Sequence, residues 1–219
     1  MNRKHKIFSK IVIVCSVLVF AIGFMLGGIG DKENTPIEII PDVVASIYLD
    51  VNPSVEINVD ENNSFYCSDD NGILFSKDKS ILIQYPLGCK SVSYTVPNGV
   101  KTIANGAFEE SPYIQDIVIP DGVININDRA FYFCNNLISV NMADSIIKVG
   151  EMAFEGCYKL SHVILSKNIT CINSGTFYSC YELEEIDIPE SVTSIGDSAF
   201  SYCKSLKRIK FPTSLTPKD

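Results

Sequence analysis

Beyond residue 95 the apolar positions of the chain recur with a single step. Phe108, Phe131, Phe154, Phe177 and Phe200 lie 23 residues apart, and Cys134, Cys157, Cys180 and Cys203 follow three residues behind the last four of them. Leu137, Leu160, Leu183 and Leu206 come three further on, and the first repeat carries Ser111 and Ile114 in these two places. Upstream in each unit, Val96, Ile119, Met142, Leu165 and Ile188 form another column. Two more follow it, Val100, Val123, Ile146, Ile169 and Val192, then Ile103, Ile126, Val149, Ile172 and Ile195. So many matching columns are an internal repeat, and such a repeat sets the fold before any local propensity does.

Within each unit the pairs Ile117 and Ile119, Val140 and Met142, Val163 and Leu165, and Ile186 and Ile188 alternate with residues of the opposite face, which predicts a short strand. A turn and a short helical segment around the Ala-Phe are expected to complete the unit. A 23-residue unit cannot close a core by itself, so neighbours must stack around a shared apolar interior. The expected fold class is an α/β solenoid. Arg208-Ile209-Lys210-Phe211-Pro212 repeats the strand once more with added charge, as a terminal cap does, and Thr213 to Asp219 reads as a frayed tail.

The run Ile186-Asp-Ile-Pro-Glu-Ser-Val-Thr-Ser-Ile-Gly-Asp-Ser-Ala-Phe-Ser-Tyr-Cys-Lys-Ser-Leu206 resembles the BspA-type bacterial leucine-rich repeat. The stretch from Asp60 through Asp69-Asp-Asn-Gly-Ile-Leu-Phe75 to Pro86 resembles the longer, hairpin-like unit of that family, so the likeness covers about residues 57–212. It implies a right-handed leucine-rich-repeat superhelix, with a degenerate unit over 60–96 and regular repeats with a C-terminal cap over 97–219. It also implies a bacterial surface protein that serves adhesion and binding rather than catalysis.

Ahead of the repeats, Ile11 to Gly30 are twenty residues without a charge. About twenty residues at 1.5 Å each cross a hydrocarbon core roughly 30 Å thick, so this segment is expected to be a transmembrane signal anchor. Arg3, Lys4, Lys6 and Lys10 precede it and Asp31 and Glu33 follow, which places the tail 1–10 in the cytoplasm and the remainder outside. The expected location is the cell membrane, single-pass, with the C-terminal domain extracellular. The alternative is a cleaved signal peptide and a secreted protein, although the apolar run is long for one and no A-x-A-like site follows.

Residues 31–44, with Pro36 and Pro41, read as an extended linker, and 45–59 alternate like a strand pair around Asn52-Pro53. Within the pair, Leu49-Asp-Val-Asn-Pro-Ser-Val-Glu56 resembles the start of the outward-facing domain of RsgI-type anti-sigma factors. That likeness implies self-cleavage between Asn52 and Pro53. Pro53 has no N–H to attack the Asn52 side chain, which leaves attack by the Asn52 side-chain nitrogen on its own carbonyl. The bland reading is an ordinary Asn-Pro turn. Only ten residues precede the apolar segment, so signalling through this piece needs a partner.

Charge excludes one class of partner. Beyond Gly30 there are 14 basic and 26 acidic residues, a net charge of −12, whereas nucleic-acid binding needs a basic face. No phosphate loop, zinc spacing or calcium loop is present, so no cofactor and no metal are expected. His5 falls in the tail and His162 stands beside no nucleophile. Seven cysteines lie beyond the apolar segment. Their repeating column suits small thiols in a fixed buried slot, and the strand spacing of a solenoid also permits disulfides.

An extracellular protein or glycan is the expected ligand, and the strand residues not needed for packing are the candidate contacts. These are Asp116 and Val118, Ser139 and Asn141, His162 and Ile164, Glu185 and Asp187, and Arg208 and Lys210. Val118 and Ile164, apolar among polar neighbours, read either as an anchor pair or as ordinary strand formers.

Overall fold

The structure is a computed structural model that describes residues 57, 59–213 and 215. The expected anchor, the linker, the Asn52-Pro53 bond and most of the expected strand pair lie outside the described residues, and so do 214 and 216–219.

The chain winds into a β-solenoid of about six coils. One side of the coils carries the longer strands β4 (Ser93–Thr95), β6 (Asp116–Ile119), β8 (Ser139–Met142), β10 (His162–Ile164), β12 (Glu185–Asp187) and β14 (Arg208–Lys210). A second side carries β5 (Thr102–Ile103), β7 (Asn125–Ile126), β9 (Lys148–Val149), β11 (Cys171–Ile172) and β13 (Ser194–Ile195). Every pair within these two faces is parallel and in register at the repeat step, as in Ile117 opposite Val140 and Ile126 opposite Val149. The N-terminal unit departs from this pattern. Strands β1 (Tyr66–Ser68), β2 (Leu74–Ser76) and β3 (Ile81–Gln84) are antiparallel to one another, and β3 then pairs in parallel with β5.

No helix is found among the described residues, which corrects the α/β expectation. The third side of each coil, around the Ala-Phe, is a run of turns. Its N–H groups alternate between two partners. Cys134 N–H donates to Phe131 O within the coil, and so does Tyr132 N–H to Arg129 O, whereas Phe131 N–H reaches Ala153 O and Phe133 N–H reaches Glu155 O in the next coil. An α-helix requires every N–H to bond within its own segment, and here every second one is claimed by the neighbouring coil. Two columns in the left-handed region enforce the alternation. They are Gly106, Arg129, Met152, Gly175 and Ser198, and Glu110, Phe133, Gly156, Ser179 and Tyr202, with φ between 53° and 72°. Isolated αL residues break an α-helix, and side chains other than Gly occupy that region at a cost.

The core is one continuous column system. Phe108, Phe131, Phe154, Phe177 and Phe200 form a stack with centroid separations of 4.9, 5.0, 5.6 and 5.6 Å. Burial is worth roughly 1.5–3 kcal/mol for each such side chain. At the C-terminal end Phe200, Cys203, Leu206 and Ile209 are only half-buried, so β14 closes the strand face without covering the core. Leu215 still packs on that end and its N–H bonds Pro212 O, so the coil extends past the expected start of the tail at Thr213.

Candidate binding face

The longer strands hold their odd and even residues on opposite sides. Ile117, Ile119, Val140, Met142, Ile186 and Ile188 are buried, which forces Asp116, Val118, Asn141, His162, Ile164, Glu185, Asp187, Arg208 and Lys210 into solvent on one exposed face. The structure thus brings all the sequence-predicted strand residues onto one surface. Val118 and Ile164 are 52% and 61% exposed.

The face is not uniform. Over β10, β12 and β14 it dips into a groove of about 500 Å³ lined by His162, Ile164, Glu185, Asp187, Arg208 and Lys210 among others. Asp116, Val118 and Asn141 lie outside the groove lining, toward the N-terminal end of the same face. Arg208 spans the two acidic residues of the neighbouring strand, at 2.7 Å to Glu185 and 3.1 Å to Asp187. The carboxylates in turn hold the guanidinium in its charged form, Glu185 more strongly than Asp187. His162 Nδ1 lies 2.8 Å from Ser161 Oγ. At the other end of the face, Ser139 donates its hydroxyl to Asp116 at 2.7 Å. The groove therefore offers an apolar contact at Ile164 on β10 beside the opposite charges paired across β12 and β14. The Ser161 contact gives His162 a neighbouring hydroxyl, which corrects the reading that it stands beside no nucleophile, and no group of three or more potential metal-ligating side chains occurs among the described residues.

The cysteines of the column are free thiols. Burial pushes Cys134 up to about 12 and Cys203 to about 11, and raises Cys157 and Cys180 well above the ordinary range. These sulfurs are structural.

A second concentration of side chains went unremarked in the sequence. Tyr132 meets Phe133 at 4.5 Å, Phe133 meets Tyr158 at 5.8 Å, and Tyr158 stacks on Tyr181 at 4.8 Å. Arg129 covers Tyr132 and Lys204 covers Tyr181. The available signal was the 23-residue step from Tyr158 to Tyr181. The rings form one surface ladder with a cation over each end.

The model of the BspA-type leucine-rich repeat region matches residues 101–217 in six copies. The chain belongs to the BspA-type leucine-rich repeat family. Leucine-rich repeat proteins are generally non-enzymatic binding scaffolds. Among solved structures, a leucine-rich repeat protein from Eubacterium ventriosum is similar at 23% identity and a TM-score of 0.61, over 72% of this chain and 49% of that one. A leucine-rich cell surface protein from Faecalibacterium prausnitzii is similar at 32% identity and a TM-score of 0.50, over 73% and 36%. The leucine-rich repeat protein of T. pallidum gives 25% and 0.58, over 68% and 69%. The BspA-type chain therefore spans about half of the first of these and about a third of the second. No curated protein matches it.

Proposed function

We propose that this BspA-type repeat protein is tethered to the membrane through residues 11–30, faces outward, and captures an extracellular protein or glycan on its longer-strand face. The groove over β10, β12 and β14 is the centre of that contact. The observation that carries the reading is Ile164, 61% exposed at the middle of a solenoid and flanked across the adjacent strands by Glu185 and Asp187, then Arg208 and Lys210. Interfaces draw affinity from a few apolar anchors ringed by polar groups, and nothing in the packing requires an aliphatic side chain at this position.

The test presents the full chain, held in detergent, to purified wall glycans and to an array of surface-protein peptides. Retention on a ligand that Ile164→Glu with Lys210→Glu abolishes, and Ile147→Glu leaves intact, supports the groove. Ile147 is 55% exposed beside the shorter strand β9 and serves as the matched control. Equal loss in both variants, or no retention of any ligand, defeats the reading.

The Leu49–Glu56 likeness motivates a sensing role in which the chain self-cleaves at Asn52-Pro53 and signals through a partner. Intact mass spectrometry of denatured chain from membranes decides it. Two fragments that meet at that bond, absent in Asn52→Ala, support sensing, while a single uncleaved mass eliminates it. A mass lacking residues up to about Gly30 means a secreted protein instead.

A further inference from the structure

The coil that carries β10 and β11 departs from its neighbours in side chain and in backbone bonding together. Ser166 stands where other coils have Pro97, Pro120, Ala143, Pro189 and Pro212, and Asn168 where they have Gly99, Gly122, Ser145 and Ser191. Thr176 replaces Ala107, Ala130, Ala153 and Ala199. In the regular turns the third residue after the Pro donates back to it, as Val123 N–H does to Pro120 O and Val192 N–H to Pro189 O. Here the turn is built differently, with Asn168 N–H bonded to Ser166 Oγ.

Both strand faces are interrupted at this coil. On the longer-strand face β4, β6, β8 and β10 form one ladder and β12 and β14 another, and none joins β10 to β12 among the described residues. The bond that opens each neighbouring pair, Asp116 N–H to Val92 O, Ser139 N–H to Gln115 O and Arg208 N–H to Glu184 O, has no counterpart between Glu185 and Ser161. On the shorter-strand face the ladder through β5, β7 and β9 stops, and β11 pairs only with β13. One side chain stands in for a lost backbone donor: Asn173 Nδ2 reaches Val149 O, where Asn127, Gly150 and Gly196 N–H reach the matching carbonyls of Ile103, Ile126 and Ile172. Ser166 Oγ donates to Ile146 O and Asn168 Nδ2 to Asp144 O, while Thr176 Oγ1 donates within its own coil to Asn173 O. Val163 is only partly buried, as are Tyr94 and Ile209 at the two ends of its column, although Ile117, Val140 and Ile186 between them are buried.

The third side is unbroken. Met152 N–H to Ser174 O, Phe154 N–H to Thr176 O and Gly156 N–H to Tyr178 O cross the same boundary, and Gly175 N–H to Asp197 O continues into the next coil. We infer that the solenoid is two hydrogen-bonded blocks, 59–165 and 170–213, that hinge about this turn ladder, with the groove as the mouth of the joint. Ser161–Leu165 line the groove from one block and Glu185–Glu190, Arg208 and Lys210 from the other. A ligand that bridges Ile164 and Asp187 would fix the angle between blocks, a consequence that rests on the binding reading above. The hinge itself does not.

Two measurements on the full chain in detergent test the hinge. In hydrogen exchange the amides of Thr170 and Asn173 exchange about tenfold or more faster than those of Thr193 and Gly196. The latter lie nearer the C-terminal end but bond to Thr170 O and Ile172 O. Simple fraying from that end gives the reverse order. Spin labels carried by unnatural amino acids, so that native thiols stay unlabelled, are then placed at Val118 and Asp187 across the joint. A second pair, at Thr95 and Ile164, is separated by the same number of coils within one block. The expected result is a broader distance distribution for the first pair, narrowed by Ser166→Pro with Asn168→Gly, which restores the regular turn. Equal widths for the two native pairs overturn the hinge and leave the binding reading untouched.

Discussion

Cys157 donates its thiol to the carbonyl of Phe131, 26 residues earlier, at 3.1 Å. Cys134, Cys180 and Cys203 repeat the contact to Phe108, Phe154 and Phe177 at 3.0, 3.3 and 3.1 Å. The turns around the Ala-Phe direct their N–H groups alternately within and between coils and leave the Phe carbonyl facing inward. A thiol is small, apolar and a weak donor, so it meets that carbonyl at little desolvation cost. The first repeat shows the alternative. Ser111 Oγ is buried without a partner, and Tyr85 O, the carbonyl 26 residues before it, accepts from Gln84 Nε2 instead.

Replacement of Cys157 separates the two roles of the sulfur. Cys157→Ala removes one of the two donors to the Phe131 carbonyl, which keeps Cys134 N–H, and leaves a small void, for a loss of about 2 kcal/mol. Cys157→Ser keeps a donor on a shorter bond and is expected to lose about 1 kcal/mol. Urea midpoints at constant slope measure both, and a serine variant less stable than the alanine variant would show that the thiol acts by packing alone.

The same column sets a pH limit. Burial raises the thiols of Cys134, Cys157, Cys180 and Cys203 above their ordinary value of 9.0, and burial likewise raises Tyr85 and Tyr94 above 10.0. These groups hold their protons more tightly in the folded chain than in the unfolded one. Their contribution is fully present below the unfolded values and is lost as pH rises beyond them. Urea midpoints should hold steady from pH 6 to about 8.5 and fall steeply from about 9. A flat profile to pH 10.5 would contradict the buried placement of the thiols.

Backbone geometry supplies a pair of opposed substitutions. Ser198 is exposed and sits at φ 56° in the column that Gly106 and Gly175 also occupy, so Ser198→Gly should relieve strain and gain about 0.5–1 kcal/mol. Gly150 has ordinary φ, yet a Cβ there would meet the backbone N and Oδ1 of Asp128, which forces the coils apart. Gly150→Ala should lose about 2 kcal/mol or more. Thermal unfolding of the two variants beside the native chain reads out both signs.

The repeat step, the inward columns and the exposed strand residues were all legible because a solenoid reuses one packing solution, so each column reports its own burial. The helical segment was misread because Ala-Phe with flanking apolar residues suits a helix locally. What decides otherwise is an interaction between coils, the sharing of alternate N–H groups, that no single repeat encodes. The αL columns were hidden for the same reason. Gly106, Gly156 and Gly175 mark them, but Arg129, Phe133 and Met152 occupy the same slots without any sign of their φ. The groove was only half legible. His162, Ile164, Glu185, Asp187 and Lys210 were singled out as one face, while the interruption between β10 and β12 lies in the coil where Ser166, Asn168 and Thr176 depart from their columns, departures that carry meaning only once the strand pairing is seen.

The charges of the last coils make a final prediction about register. Between Lys167 and Lys204 the chain has no Lys or Arg and carries Glu182, Glu184, Glu185, Asp187, Glu190 and Asp197. The terminal coil answers with Lys204, Lys207, Arg208 and Lys210, and Lys207 meets Glu184 at 3.1 Å while Arg208 meets Glu185 and Asp187. These side chains are more than half exposed, so the pairs add little to stability one by one, under about 1 kcal/mol each. Their larger effect is to disfavour any other placement of the last coil, since a shifted strand sets carboxylates beside carboxylates. Arg208→Ala should therefore lower the urea midpoint only slightly, and that loss should vanish in about 0.5 M salt as the pairs are screened. Arg208→Glu should lower it further, with increased hydrogen exchange confined to β12 and β14. A charge reversal that leaves both strands as protected as in the native chain would show that apolar packing of Ile186 and Ile209 sets the register without help from the ion pairs.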